Sequence, residues 1–377
     1  MAESAGVAPT WRSSFPAMGT RIDIIGWGGN GMAIVNAVVG VVARHEDMWS
    51  VFRPSSEVSR LNDVVASTGG GGASRCGADS TQAGHGLVVS EETDRLLRDA
   101  QALAEATGGA FNPLIGPLVA AWDVKAMRAA YVAGAPLPPA PAADAVEAAL
   151  CASSWSLLSR VGERRWVMGV PGESAGGVDA PSPSLDLGGI AKGYTADACR
   201  DLAVAMGARG VLVSVGTSSV SVFGTRADGS SWRAGLRDPQ GGPTSVAGVV
   251  ELPVGGMASL STSGDNLGPL GVLAPEVVVR AAGSASDHHA RETSRETAAG
   301  GGRVFDHHII DPRTGYPANA GVRQVSVVAS SGVLAEALST ALLVDPSIDV
   351  PDVVACWARE TGTPASERVV SLVRVGS

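Results

Sequence analysis

The residues with the strongest chemical signal lie in an apolar stretch near the end of the chain. Residues 332–344 read GVLAEALSTALLV, and Glu336 is the one ionisable side chain among them. Apolar positions on every face predict a buried helix, and Thr340 lies one turn after Glu336 on the same face. A buried carboxylate is costly unless it is paired or binds a metal. The pair therefore predicts half of a site for a hard cation such as Mg²⁺, although a Glu that emerges at the helix surface is the alternative.

A second candidate lies at 185–198, which reads LDLGGIAKGYTADA. A short predicted strand carrying Asp186 leads into Gly188 and Gly189 and then into a helix whose first turn holds Lys192. A helix N-terminus favours anions, so a lysine there is unfavourable unless an anion is bound. The pattern predicts a phosphate site, and the alternative is a glycine turn followed by a solvated lysine.

Two histidines precede a predicted turn in the segment 306–317, DHHIIDPRTGYP. Asp311 and Pro312 favour a turn that ends a strand at HHII, and neighbouring strand residues face opposite sides. Only one of His307 and His308 can therefore face a cleft. Such a histidine would be a general base, although a histidine beside a turn is also commonly structural or exposed.

Three further segments combine small residues with hydroxyl groups, and each is predicted to be a loop between regular elements. They are 16–20, 108–122 and 258–266. Met18 in the first segment, and Phe52 after the first predicted helix, are either ordinary core side chains or apolar walls for a flat aromatic ligand.

The regular elements that position these candidates show few βαβ repeats, which favours an α+β fold over a doubly wound sheet. We expect a single domain over 1–377 with its core at 15–345. Two low-complexity stretches, 64–86 and 267–302, are predicted to be flexible insertions. Residue periodicity and capping residues predict strands at 20–27, 155–161, 164–170, 185–187, 211–215, 220–223 and 325–330, and helices at 32–49, after Ser90, at 144–153, up to 206 and at 332–344.

The composition is that of a globular protein, with 45% hydrophobic and 17% charged residues. A net charge of −9 without a long basic run argues against nucleic acid or an anionic membrane as the main partner. The four cysteines lie far apart without a CxxC pair, which indicates neither a zinc module nor a disulfide framework. Because the first residues lack a leader pattern and the apolar runs are short, we expect a soluble, cytoplasmic protein.

Taken in order, seven blocks of the sequence resemble the motifs of the ApbE family of flavin transferases, and the match spans residues 17–344. Seven ordered blocks are far more specific than any one of them. The blocks are MGT at 18–20, SEVSRLN at 56–62, GAFNPLIGPL at 109–118, DLGGIAKGY at 186–194, TSGD at 262–265, HIIDPRTG at 308–315 and AEALSTA at 335–341.

The resemblance implies both a fold and an activity. The implied fold is a compact, mixed-sheet α+β architecture, T-fold-like, with two lobes around a central ligand cleft. Members of the family take FAD and Mg²⁺, cleave the pyrophosphate and transfer FMN through a phosphoester to a Thr or Ser hydroxyl of an acceptor protein, which releases AMP. Some members mainly hydrolyse FAD.

Carried over by motif, the resemblance also implies roles for individual residues. The residues that would line the FAD site are Met18, Phe52, Ala110, Phe111, Asn112, Asp186, Lys192 and Ile309. The metal would be held by Glu336, Thr340 and a backbone oxygen of Gly189, with help from Ser339. Lys192 would face phosphate, and His308 would accept the proton of the acceptor hydroxyl.

Two departures from the family pattern support other hypotheses. Glu336 stands where the family usually has Asp, and Mg²⁺ is strict about octahedral distances of about 2.1 Å. The strand after the lysine helix reads SVGTSS at 214–219, where the family has G-G-[DEN]. The alternatives to FMN transfer are therefore an FAD-binding protein with little or no turnover, and an FAD pyrophosphatase that yields FMN and AMP.

Overall fold

The structure is a computed structural model, and it describes most of the chain. The described residues are 8–69, 86–133, 135–169, 181–238, 245–253, 255–264, 277–281, 308–363 and 369–376.

The strands of the described residues fall into one large sheet and two small ones. In chain order they are β1 Thr10–Ala17, β2 Thr20–Trp27, β3 Leu87–Val88, β4 Leu158–Gly162, β5 Arg165–Met168, β6 Gly210–Val215, β7 Ser219–Gly224, β8 Arg233–Arg237, β9 Val246–Glu251, β10 Met257–Gly264, β11 Val277–Ala281, β12 Val322–Ala329 and β13 Val369–Gly376.

The helices of the described residues precede, interrupt and follow these strands. They are α1 Gly31–Trp49, α2 Glu57–Gly69, α3 Glu91–Ala106, α4 Gly116–Ala121, α5 Val124–Ala133, α6 Ala143–Ala152, α7 Ala191–Ala205, α8 Gly332–Val344 and α9 Val350–Thr361, with a single 3₁₀ turn at Trp155–Leu157.

The large sheet has eight strands in the order β1-β2-β6-β7-β10-β12-β13-β11, and every neighbouring pair is antiparallel. The small sheets are β3-β5-β4 and the hairpin β8-β9. All strand pairs in the described residues are antiparallel and the sheets are open, so the expected α+β class is confirmed.

Helices α7 and α8 lie side by side on one face of the large sheet, where they pack against β6, β7, β10 and β12. The face is set by the alternation along β10. Ser259, Ser261 and Ser263 bond to side chains of the two helices, whereas Ala258 and Leu260 join a separate apolar cluster on the opposite face. The two helices are therefore separated from the sheet by a row of hydroxyl groups.

Local sequence explains where the helices around the site begin. The Ser90 side chain accepts a hydrogen bond from Thr93 N at the start of α3, and the first turn of that helix is acidic. The side chain of Ser331 caps α8 in the same way, by accepting from Leu334 N. The predicted helix at 332–344 coincides with α8, and its burial on all sides is confirmed.

Several expectations about secondary structure are wrong. Of the predicted loops, 258–266 lies largely in β10, because its small and hydroxyl-bearing residues alternate as a strand between β7 and β12, and 108–122 contains α4. Residues 64–69 continue α2, so the predicted loop does not begin at 64, while 70–85 lie outside the described residues. The β-branched run at 277–281 forms β11 on the edge of the sheet, within the second predicted insertion. The HHII segment forms no strand, since Ile310 makes one isolated bridge to Pro317 across the turn and His307 lies outside the described residues. Residues 185–187 are extended but unpaired in a sheet.

None of the helices that the structure describes is both long enough and apolar enough to cross a membrane.

Candidate functional site

Glu336 lies on α8 between that helix, α7 and the sheet, and it is 3% exposed. Its Oε1 accepts a hydrogen bond from the Ser219 hydroxyl and lies 3.7 Å from Lys192 Nζ. Its Oε2 is buried and has no hydrogen-bond partner among the described residues. The alternative of a glutamate at the helix surface is therefore wrong, and half of a buried carboxylate is left to bind something else.

The unpartnered oxygen fits a bound cation. An unsatisfied buried carboxylate oxygen costs free energy that a cation ligand would offset. Among the described residues, no group of three or more His, Cys, Asp or Glu side chains could hold a metal. A cation at Glu336 would therefore complete its shell with hydroxyl and backbone oxygens, which is the ligand chemistry of a hard ion such as Mg²⁺.

Thr340 and Ser339 follow Glu336 on α8 and bond to the serines of β10. The Ser263 hydroxyl lies 2.8 Å from Ser339 Oγ and 3.0 Å from Thr340 Oγ1. Ser339 also donates to the carbonyl of Glu336 at 3.0 Å and is fully buried. Thr340 is half-buried. Thr340 is thus the more accessible of the two hydroxyls, and Ser339 ties the helix to the sheet.

The glycine loop before α7 brings Lys192 to Glu336. Asp186 Oδ1 accepts from Gly188 N at 2.8 Å and so closes the turn. Lys192 Nζ donates to the carbonyl of Gly188 as well as approaching Glu336. The first turn of α7 has no side-chain cap, so its amide groups, with the lysine, form an electropositive helix start.

Asn62, the last residue of the SEVSRLN block, holds this loop from the side. Its Oδ1 accepts from Leu185 N at 2.8 Å, and its Nδ2 donates to Leu185 O at 3.2 Å. The backbone N–H and C=O of Leu185 are thus hydrogen-bonded to a side chain and not to a neighbouring strand. This explains both why 185–187 is not a strand and how α2 positions Asp186.

Ala110, Phe111 and Asn112 are buried in the loop between α3 and α4. The Asn112 amide donates to Ser153 O at 2.6 Å, and its carbonyl oxygen accepts from Leu114 N at 2.8 Å. A Cβ atom at Gly189 would lie 3.6 Å from Phe111 Cε2, so the two loops touch at a glycine. Asn112 shapes its own loop, and Phe111 supports the glycine loop.

Met18 and Phe52 occupy different environments. Met18 has a left-handed backbone, with φ of 52°, in the turn between β1 and β2, and packs against two core clusters. Phe52 is 79% exposed, and Lys125 Nζ lies 5.6 Å from its ring centroid. Phe52 is therefore not a core residue, and its exposed ring has Lys125 over one face.

His308 and Ile309 stand at the start of the turn that the DPRTG sequence forms. His308 is half-buried, and Ile309 packs against the main core. Asp311 N donates to Tyr316 O at 2.8 Å, which closes the turn. The role of His308 as a base stays a prediction.

The sequence reasoning missed three side chains that the structure places around the site. They are Ser219 on β7, Ser263 on β10 and Asp197 on α7. Asp197 Oδ2 accepts from Gly332 N at 2.6 Å and so anchors the start of α8. The alternation Ser-Val-Ser-Val at 219–222 and the serines at 259, 261 and 263 indicate a hydroxyl-bearing strand face, but not which helix covers it.

An antiparallel sheet covered by two helices, with a carboxylate and a lysine that converge beside a glycine loop, defines an α+β protein with one candidate polar site. The model of the ApbE family matches residues 18–267 and 287–361. The chain belongs to the ApbE family.

Curated relatives share moderate identity with the chain. A protein of Treponema pallidum named FAD:protein FMN transferase is 29% identical over 271 residues, which cover 68% of this chain and 61% of that protein. One of Rhodobacter capsulatus with the same name is 30% identical over 321 residues, which cover 85% and 48%. The chain thus spans less than two thirds of the length of these two relatives.

Solved structures share the fold. The flavin transferase ApbE from Vibrio cholerae superposes with a TM-score of 0.63 at 21% identity. The superposition covers 98% of this chain and 97% of that protein's chain. The ApbE protein from Thermotoga maritima gives a TM-score of 0.63 at 24% identity, with coverage of 98% and 96%.

Proposed function

We propose that this protein transfers FMN from FAD to a Thr or Ser hydroxyl of an acceptor protein, with release of AMP and dependence on Mg²⁺. The observation that carries the proposal is the buried Oε2 of Glu336, which has no hydrogen-bond partner in the described part of the chain, beside Lys192 and the start of α7. Family membership and the name that the relatives bear support the flavin chemistry.

Glu336, Thr340 and the backbone oxygen of Gly189 would hold the metal. Ser339 would help by fixing α8 to β10 through Ser263. When bound, Mg²⁺ would neutralise charge on the diphosphate and favour departure of AMP. Lys192 would add its positive charge to the same phosphates, and the positive end of the α7 dipole would favour a phosphate oxygen there.

The remaining residues would position the flavin nucleotide. Phe52 offers an exposed ring for stacking, and Met18 supplies an apolar wall that the turn between β1 and β2 fixes. We assign the other contacts with FAD to Ala110, Phe111, Asn112, Asp186 and Ile309. The buried members of this set, Ala110 to Asn112, would act through the shape of their loop and its backbone groups.

In the transfer step, the acceptor hydroxyl oxygen would form a bond to the phosphorus of the FMN half. The bond from that phosphorus to the bridging oxygen would break, and AMP would leave with the bridging oxygen. His308 would take the hydroxyl proton. Water in place of the acceptor would give free FMN and AMP, which is the pyrophosphatase alternative.

The expected single domain over 1–377 and the expected cytoplasmic location belong to this proposal. Both rest on the sequence.

A direct test follows AMP and FMN by chromatography after incubation of the protein with FAD and Mg²⁺, with and without EDTA. Glu336→Ala and Thr340→Val test the site, and Asp228→Ala, in an exposed loop, is the matched carboxylate control. AMP that needs metal and disappears in Glu336→Ala supports the proposal. FAD that stays bound and intact with metal, in the presence of hydroxyl-bearing acceptor proteins, favours the flavin-binding alternative.

A further inference from the structure

Ser219 lies at the first position of β7, is 1% exposed and faces α8. Its hydroxyl donates to Glu336 Oε1, and Ser218 Oγ lies 3.2 Å from the same hydroxyl oxygen. Ser219 also closes the SVGTSS segment, so the two departures from the family pattern contact each other. The longer side chain at 336 and the serine at 219 form one unit.

The bond from Ser219 decides which carboxylate oxygen remains available. Glutamate has one more rotatable bond than aspartate, so its carboxylate needs an anchor to stay in one place. Ser219 and Lys192 both face Oε1: the Ser219 hydroxyl donates a hydrogen bond to it, and Lys192 Nζ lies 3.7 Å from it. Oε2 is left without a partner among the described residues.

We propose that Ser219 is a positioning residue, which holds Glu336 by Oε1 so that Oε2 is presented to the bound cation. The proposal rests on the metal site of the proposed function and identifies the residue that makes a glutamate usable there. Groups behind a metal ligand commonly fix its orientation and tune its affinity.

Ser221 provides the matched control. It lies two residues further along β7 on the same face, is fully buried, and donates to a carboxylate, Asp197 Oδ1, at 2.6 Å. Ser221→Ala therefore removes a comparable hydroxyl–carboxylate bond from the same strand without touching Glu336. A purely structural role of Ser219 would make the two alanine variants alike.

The experiment titrates Mg²⁺ alone into the full chain by calorimetry, in the absence of FAD. The proteins are the wild type, Ser219→Ala, Ser221→Ala, Glu336→Asp, the double variant Ser219→Ala/Glu336→Asp, and Glu336→Ala, which lacks the proposed ligand. Ser219→Ala should weaken Mg²⁺ binding about tenfold, and Ser221→Ala should leave it within about twofold. In the Glu336→Asp background the shorter side chain no longer reaches Ser219. Ser219→Ala should therefore weaken Mg²⁺ binding by less than about twofold in that background.

Thermal unfolding in EDTA separates positioning from folding, because both alanine variants should lower the melting temperature to a similar extent. If Ser219→Ala does not fold, Ser219→Cys keeps the volume with a weak donor and should lower Mg²⁺ affinity in the same direction.

The outcomes separate the two levels of the proposal. Wild-type protein that binds Mg²⁺ while Ser219→Ala binds it equally well overturns the positioning role alone. The same conclusion follows if Ser219→Ala and Ser221→Ala weaken binding equally. Wild-type protein that binds no Mg²⁺, or binds it as Glu336→Ala does, overturns the metal site and the positioning role with it.

Discussion

Two carboxylates on neighbouring helices face the same row of serines, and they differ in how fully they are hydrogen-bonded. The Asp197 side chain is 16% exposed, and both of its oxygens are used. Its donors are Ser221 at 2.6 Å, Ser259 at 2.6 Å, Arg200 at 2.9 Å and Gly332 N at 2.6 Å. Glu336 is more deeply buried, yet one of its oxygens has no donor among the described residues.

The comparison shows that burial of a carboxylate does not by itself identify a functional group. Asp197 has donors on both oxygens, three on Oδ1 and one on Oδ2, and these bonds join α7, the sheet and the start of α8. Glu336 keeps a free oxygen at a cost in stability of about 1–3 kcal/mol. Such a cost is typical of a site that is completed by its ligand.

The largest effect on folding should come from Asp197→Ala. The change leaves the buried Arg200 guanidinium with fewer partners and removes the acceptor of Gly332 N at the start of α8, so the free energy of unfolding should fall by about 4 kcal/mol in urea denaturation. Asp201→Ala is the control, since Asp201 pairs with the same arginine but its side chain is 52% exposed. Equal losses in the two variants would contradict the anchoring role of Asp197.

Glu336→Gln should have the opposite profile. It removes a buried charge and keeps a side chain of nearly the same volume. The free energy of unfolding in EDTA should therefore fall by less than about 1 kcal/mol. AMP release with FAD and Mg²⁺ should fall about 100-fold or more, because the amide is a poor ligand for a hard cation. A variant that is unstable but active would reverse the assigned roles of the two carboxylates.

The comparison extends to a third buried group, His45 on α1, which packs against the same helix as Asp197. Thr195 Oγ1 donates to Ala191 O at 2.8 Å and lies 2.9 Å from His45 Nδ1, while His45 Nε2 lies 3.7 Å from Glu92 Oε1. Burial lowers the pKa of His45 to about 4, against the opposing effect of Glu92.

Because the folded pKa of His45 lies below the unfolded value of about 6.5, the unfolded chain binds more protons between these values and stability falls as the pH drops from 6.5 to 4. The contribution is about 3 kcal/mol at most. Urea denaturation across this range should show a smaller slope for His45→Phe than for the wild type. The pH dependence that remains in His45→Phe comes from carboxylates such as Glu92, because the hydrogen bond from Arg44 lowers the pKa of Glu92. Identical slopes would mean that the ring protonates in the folded protein.

The smallest effect concerns the close packing of α7 on α8. A Cβ at Gly193 would lie 2.3 Å from Gly332 O and 3.0 Å from Glu336 Cγ. Gly193→Ala should therefore push the helices apart and destabilise the protein by about 2 kcal/mol. Gly40→Ala on α1, where nothing lies within 4 Å, should instead stabilise by about 0.5–1 kcal/mol. Thermal melts of both variants test this, and an unaffected Gly193→Ala would show that the two helices can separate freely.

Several features followed from local pattern alone. The apolar residues on all faces of 332–344 predicted a buried helix, and the structure decided between a buried and a surface Glu336 in favour of burial. The same reasoning found Lys192 at a helix start and the α+β class. It was wrong at 277–281, where a β-branched run within low-complexity sequence forms an edge strand, and at HHII, where the turn closes before a strand can form.

The sequence by itself determined which residues were chemically unusual: a lone glutamate in an apolar helix, a lysine at a helix start and serines at every second position of two strands. Only the tertiary structure decided how they meet. Ser219 and Glu336 are 117 residues apart, and their contact depends on the register of β7 against β10 and on the packing of α8 over both. Period-two alternation shows that serines share a face, but hydrogen-bond register and helix packing, which involve distant segments, decide which carboxylate is saturated and which keeps an oxygen free.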